Sequence, residues 1–179
     1  MKYFLMVTML GIGAIAAAAQ KNEPRTVPSV DLNRYASRWY EIARYPNRFE
    51  KKCVRNVTAD YSLKPDGRIK VTNTCNTAAG KVSVADGEAK IVDKTTKAKL
   101  KVRFAPSFLS WLPMVWGEYW ILDLDPEYRY AVVGDSKRDY FWILSREPRM
   151  SERLYAELLQ RAKAQGFDPG RVRRTEQSW

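Results

Sequence analysis

The chain has 179 residues, 45% of them hydrophobic, with 31 Lys and Arg against 20 Asp and Glu, a formal net charge of +11 and no histidine. That length and apolar content suit one globular domain with a real core. The missing histidine removes Ser–His and Cys–His nucleophilic pairs and most zinc or haem ligation, and no Gly-x-Ser-x-Gly, phosphate loop or dinucleotide fingerprint occurs.

Residues 1–19, MKYFLMVTMLGIGAIAAAA, read as a secretory signal peptide: Lys2 as positive n-region, an apolar run, then Ala17-Ala18-Ala19 before a mature start at Gln20. An uncleaved anchor is the other reading, disfavoured because the apolar run is short for a membrane span. No cysteine lies near the cleavage site, so the expectation is an exported protein without lipid attachment, periplasmic or outer-membrane associated. Losing Lys2 with the signal leaves +10 on the mature chain. Outside the cytoplasm such a charge favours anionic lipid or glycolipid surfaces over nucleic acid, with solubility alone as the plainer alternative.

Residues 20–30, QKNEPRTVPSV, carry two prolines and no periodicity, which predicts an extended leader. Asp31 then caps a short helical turn through Tyr35 that feeds Trp39 and Tyr40. Val57, Ala59 and Tyr61 share one face of a run that ends at Lys64-Pro65-Asp66-Gly67, and Ile69, Val71 and Asn73 alternate with Arg68, Lys70 and Thr72. The two runs form a hairpin.

Cys53 shares parity with Val57, and Cys75 with Val71, so both sulfurs face one side of adjacent strands. In an exported chain the pair reads as one disulfide, worth roughly 3 kcal/mol in the chain-entropy account, with two free thiols as the alternative. Further strands are expected over 81–84, 88–92, 98–104, 118–124, 130–133 and 140–145, separated by Asp-Gly, Asp-Pro and Gly-Asp-Ser turns. Seven or eight short antiparallel strands mean a sandwich or a closed barrel. Ser151 caps an amphipathic helix through Gln165, with Leu154, Leu158 and Ala162 on one stripe, packed outside the strands. The tail, 171–179, adds a last short strand.

Ser37-Arg-Trp-Tyr-Glu-Ile-Ala-Arg-Tyr45 resembles the first signature of the lipocalin family, in its bacterial and apolipoprotein D-like branch. Asp139-Tyr-Phe-Trp-Ile-Leu-Ser-Arg146 resembles the branch's later signature, and Asn56–Leu63 and Asp123–Val133 match its style between them. The likeness covers roughly residues 28–170, which makes 31–179 one lipocalin domain. It implies an eight-stranded up-and-down antiparallel barrel with the C-terminal helix outside, and Trp39 at the closed end under the Arg146 guanidinium, in a structural role. Ser37 stands where the family usually has Gly, which bears on local turn geometry. The lipidation cysteine of outer-membrane members is absent.

The resemblance implies a carrier, and an eight-stranded barrel holds side chains or one small ligand. Strand parity and polar tips give an inward, ligand-binding set of Tyr61, Phe104, Tyr119, Tyr130, Tyr140 and Trp142. The expected ligand is a fatty acid, lysophospholipid or similar lipophile, its head held near the mouth by Tyr hydroxyls and basic residues. No cofactor is called for, and enzyme activity is a poor expectation: of the close carboxylates Glu118, Asp123 and Asp125, the last reads as a turn cap. The alternatives are a small-substrate enzyme on the same barrel, or an envelope surface-interaction protein with a basic face.

Lys99, Lys101 and Arg103 alternate with Leu100, Val102 and Phe104, a solvated face or a basic belt for anionic head groups. The stretch 105–120, APSFLSWLPMVWGEYW, is too broken for a helix or a strand, yet strongly apolar. It is placed at the barrel's open mouth, where Trp111 and Trp116 contact membrane or fold back as a lid.

Overall fold

The computed structural model describes residues 23–178. The export signal over 1–19 and the first leader residues, 20–22, lie outside them.

Asp31 accepts the Asn33 N–H and starts α1 (Leu32–Tyr35). Eight strands follow: β1 (Ser37–Arg44), β2 (Cys53–Leu63), β3 (Ile69–Thr77), β4 (Val82–Ile91), β5 (Lys99–Arg103), β6 (Gly117–Leu124), β7 (Tyr130–Gly134) and β8 (Phe141–Ser145). Each pairs antiparallel with its neighbours in sequence, and β1 pairs with both β2 and β8. Closure leaves no free sheet edge along the paired part of the barrel. Beyond Tyr40, β1 and β2 part company, and β9 (Arg173–Arg174) pairs with β1 at Ala43 and Arg44. Glu176 bridges to Arg55 of β2, so the tail fills the seam.

Two apolar cores result. Inside the barrel, Trp39, Ile69, Val71, Leu100, Ile121, Val133 and Leu144 pack together with Tyr35 beneath them. Outside it, α2 (Glu152–Ala164), capped by Ser151, lays Leu158 and Ala162 on Ile42, Trp120, Val132, Phe141 and Ile143. Alternation along each strand feeds both, because successive side chains leave opposite faces.

The closed end is held by Trp39, fully buried, with the Arg146 guanidinium 3.9 Å from its ring centroid. Arg146 also donates to the carbonyls of Arg34, Arg38, Tyr35 and Ala36 at 2.6, 2.7, 3.2 and 2.9 Å. Ser37, the residue standing for the family's glycine, has φ +80°, the left-handed region in which glycine is at home. The leader stays extended: the N–H of Val27 donates to Ile121 and that of Val30 to Thr96.

One expectation needs correcting. The separate runs 81–84 and 88–92 are a single strand, β4, and Asp86-Gly87 lies in its middle rather than in a turn. A Cβ on Gly87 would meet the Arg103 carbonyl at 2.6 Å and the Phe104 ring at 2.7 Å, so the glycine serves close approach and not chain reversal. The eighth strand is supplied by β1. Cys53 and Cys75 are joined, tying β2 to β3 near the open end with Cα atoms 5.5 Å apart.

Candidate functional site

The turns 45–52, 78–81, 104–116 and 135–140 all lie at the end opposite Trp39, and a cavity of about 430 Å³ opens between them. Val57, Ala59, Val71, Val102 and Leu144 form its apolar walls, Tyr61 and Tyr119 its floor, and Phe49, Phe104, Met114, Trp116, Tyr140 and Trp142 its upper lining. Volume and lining suit one drug-sized or acyl-chain ligand.

Five of the six expected residues, Tyr61, Phe104, Tyr119, Tyr140 and Trp142, therefore come together around one space. Tyr130 does not. Ala131 and Val133 take the inner face of β7, so Tyr130 points outward, packs beneath α2 and accepts a hydrogen bond from Arg161 at 3.2 Å. The rings of Tyr140 and Trp142 stack with centroids 5.8 Å apart, and Phe49 tilts against Tyr140 at the same distance.

Charged groups in the wall were not among the expected ones. A bulge at Ile42 shifts the register of β1 so that Glu41, opposite Leu144, and Arg44, opposite Trp142, both face inward. Arg44 bonds Glu41 and lies 3.6 Å from Glu50, while Trp142 Nε1 donates to Glu50 at 3.2 Å. The tail's Thr175 hydroxyl closes on Glu41 as well. Only 3% of Glu41 is exposed. Burial, then the adjacent Glu50 charge, push its pKa up to about 8 against the pull of Arg44, which favours the protonated acid. Its alternation with Trp39 was the one available signal of an inward position.

Three tyrosines meet at the floor. Tyr119 Oη lies 2.8 Å from Tyr35 Oη and 3.0 Å from Tyr61 Oη. Burial raises all three: Tyr61 to about 12, Tyr35 and Tyr119 well above the usual phenol range. Each is a neutral hydroxyl under all ordinary conditions.

The 104–116 segment folds as two short 3-10 turns, Ser107–Leu109 and Pro113–Val115, at the mouth. Phe108, Trp111 and Met114 are 74%, 75% and 83% exposed. Trp116 instead turns back, donating to the Ser110 carbonyl at 2.8 Å with Lys90 over its ring, and lines the cavity. The basic strand also differs from the expected belt. Arg103 is buried, donating to Ala105 O and Glu88, and Lys99 covers the Trp120 ring 3.7 Å away, leaving Lys101 half-exposed on the outer face. Exposed cations at the mouth are Arg48, Lys51, Lys52, Lys81 and Lys137.

The carboxylates weighed for catalysis are tied into the scaffold. Asp125 caps its own turn and pairs with Arg129, Asp123 pairs with Arg161 on α2, and Glu118 accepts from the Ser136 N–H and hydroxyl.

Comparison with known proteins agrees with this architecture. The "Lipocalin-like domain" family model matches residues 30–177. Temperature-induced lipocalin-1 of Arabidopsis thaliana is 42% identical over 161 residues, covering 89% of this chain and 86% of the relative. Outer membrane lipoprotein Blc of Escherichia coli strain K12 is 40% identical, covering 86% and 85%. Among solved structures, insecticyanin of the tobacco hornworm superposes with a TM-score of 0.67 at 19% identity, covering 88% of this chain and 86% of that one, a likeness of fold. A barrel closed over Trp39 and Arg146, a cavity open at the other end and relatives of this similarity make the chain a member of the lipocalin-like family.

Proposed function

We propose that the protein is an exported, non-catalytic carrier that holds one fatty acid, lysophospholipid or similar single-chain lipophile, for lipid storage or transport in maintenance of a cell envelope. The observation that carries this is the open cavity of about 430 Å³, walled by aliphatic and aromatic side chains. An acyl chain taken into it gains on the order of 0.8 kcal/mol per buried methylene before ordering costs. The relative named as an outer membrane lipoprotein supports an envelope setting.

Delivery to or from a membrane follows from the mouth. Phe108, Trp111 and Met114 project around the entrance, and Arg48, Lys51, Lys52, Lys81 and Lys137 sit on the same end. An apolar tip within a ring of cations fits an anionic bilayer surface, each near-surface charge adding about 1 kcal/mol.

Native mass spectrometry with lipid extraction tests the carrier reading: a co-purified lipophile supports it, and a barrel that stays empty with fatty acids and lysophospholipids offered overturns it. Flotation with anionic vesicles tests the mouth. The wild type floats and the Phe108→Ser, Trp111→Ser, Met114→Ser variant does not; equal flotation leaves the segment as a lid only.

A further inference from the structure

We infer that the tyrosine floor is a subsite for a neutral oxygen, best a hydroxyl, at the buried end of the ligand. The inference rests on the carrier reading and narrows the class of lipophile.

It follows from counting protons. Tyr35, Tyr61 and Tyr119 bring three hydroxyl donors, and the only hydrogen bonds these hydroxyls make among the described residues are the two to and from Tyr119. Whichever way the two bonds run, each uses one proton and one is left over. Tyr61 and Tyr119 line the cavity; Ile69, Ala89, Leu100 and Val102 beside them have no side-chain acceptor, and the acceptors elsewhere in the cavity lining, Glu41, Glu50, Thr58 and Asn73 among them, make no hydrogen bond to the three hydroxyls. A buried donor without an acceptor is unfavourable, so the floor is complete only when something in the cavity accepts.

The acceptor is neutral. No cation lines the floor; Arg48 and Arg103 border the cavity higher up, and Arg146 stacks on Trp39 at the closed end. A carboxylate brought to the floor would be buried without a counter-charge. Burial keeps the phenols protonated, so they act as donors throughout. A second orphan points the same way. Asn73 Oδ1 is buried without a partner, on β3 two residues from Val71, which itself pairs with Tyr61. It gives the wall an unused acceptor one pleat repeat nearer the mouth. A plain alkyl chain answers neither group.

The test uses two lysophosphatidylcholines of equal chain length, one ending in a methyl and one in an ω-hydroxyl, titrated by quenching of tryptophan fluorescence. The zwitterionic head cannot be desolvated at the floor, so only the chain end reaches the tyrosines. The wild type is expected to bind the hydroxylated lipid at least as tightly as the methyl-ended one. The Tyr35→Phe, Tyr61→Phe, Tyr119→Phe variant removes every donor together and is expected to fold. It should favour the methyl-ended lipid on the order of ten-fold. A ten-fold preference for the methyl-ended lipid by the wild type overturns the inference and leaves the carrier reading standing, even if the variant fails to fold. Binding of neither lipid overturns both.

Discussion

The two ends of the barrel are built on opposite terms. At the closed end a fully buried indole lies under a guanidinium that donates to five backbone carbonyls, and the leader hydrogen-bonds over the neighbouring strands. At the mouth, large apolar side chains stand in solvent, acids are packed together, and strands β1 and β2 separate. Satisfied polar groups and dense packing concentrate stability at one end, and the other is left free to exchange a ligand.

The largest effect should come from Trp39→Ala, which empties the closed end and removes the surface Arg146 covers. A loss of about 3–5 kcal/mol is expected in chemical denaturation. A loss below about 1 kcal/mol would mean that the closed end is not where stability resides.

Next comes the acid in the mouth wall. Glu41 is raised in the folded state to about 8, so it binds a proton that the unfolded chain has released. Its contribution is full below the ordinary glutamate pKa and declines as the pH rises towards about 8, where it is gone. Midpoint temperatures measured between pH 5 and 9 should fall with pH in the wild type, and Glu41→Gln should flatten that fall. The same slope in both proteins would place the titration elsewhere.

A smaller gain is expected from Ser37→Gly at the closed end. The left-handed φ of Ser37 costs a non-glycine residue, and relief should raise stability by up to about 1 kcal/mol. Any loss would show that the hydroxyl makes up for the backbone. The smallest change is expected for Phe108→Ser, Trp111→Ser, Met114→Ser, within about 0.5 kcal/mol of the wild type, since these side chains pack on little. A loss of several kcal/mol would make them part of the core and dissolve the contrast between the ends.

Much of the inner lining was legible because pleating is strict: once Val57 and Ala59 face inward, Tyr61 must too, and the same holds for Tyr140 and Trp142. Tyr130 has a hydroxyl tip at a strand end, but Ala131 and Val133 hold the inward parity of β7, so its ring lies on the outer face. Glu41 had the right parity with Trp39, but a carboxylate is assigned to the surface unless a partner is known, and its partners are Arg44, turned inward on the same strand only by the bulge, and Thr175 in the tail. Arg103 does alternate outward, yet its cover is Glu88 on the neighbouring strand and the turned-back Trp116. The turn signal of Asp86-Gly87 failed because composition cannot separate a glycine that reverses the chain from one that makes room for a ring. Tyr35 joined the floor through the docking of a four-residue helical turn, a tertiary event with no trace in local pattern.

The seam between β1 and β2 is closed by residues that lie beyond all eight barrel strands in the chain. Arg173 and Arg174 pair with β1, the N–H of Asn56 donates to Glu176 O, and the Gln177 amide donates to the carbonyls of Glu41 and Val57, one on each side of the gap. A chain delivered from its N-terminus presents these residues after all eight barrel strands. The Trp39 end is built without the tail, whereas residues 173–178 supply a wall contact beside the cavity that the eight strands do not provide. A barrel whose tail has not docked is therefore open along this seam, beside the mouth.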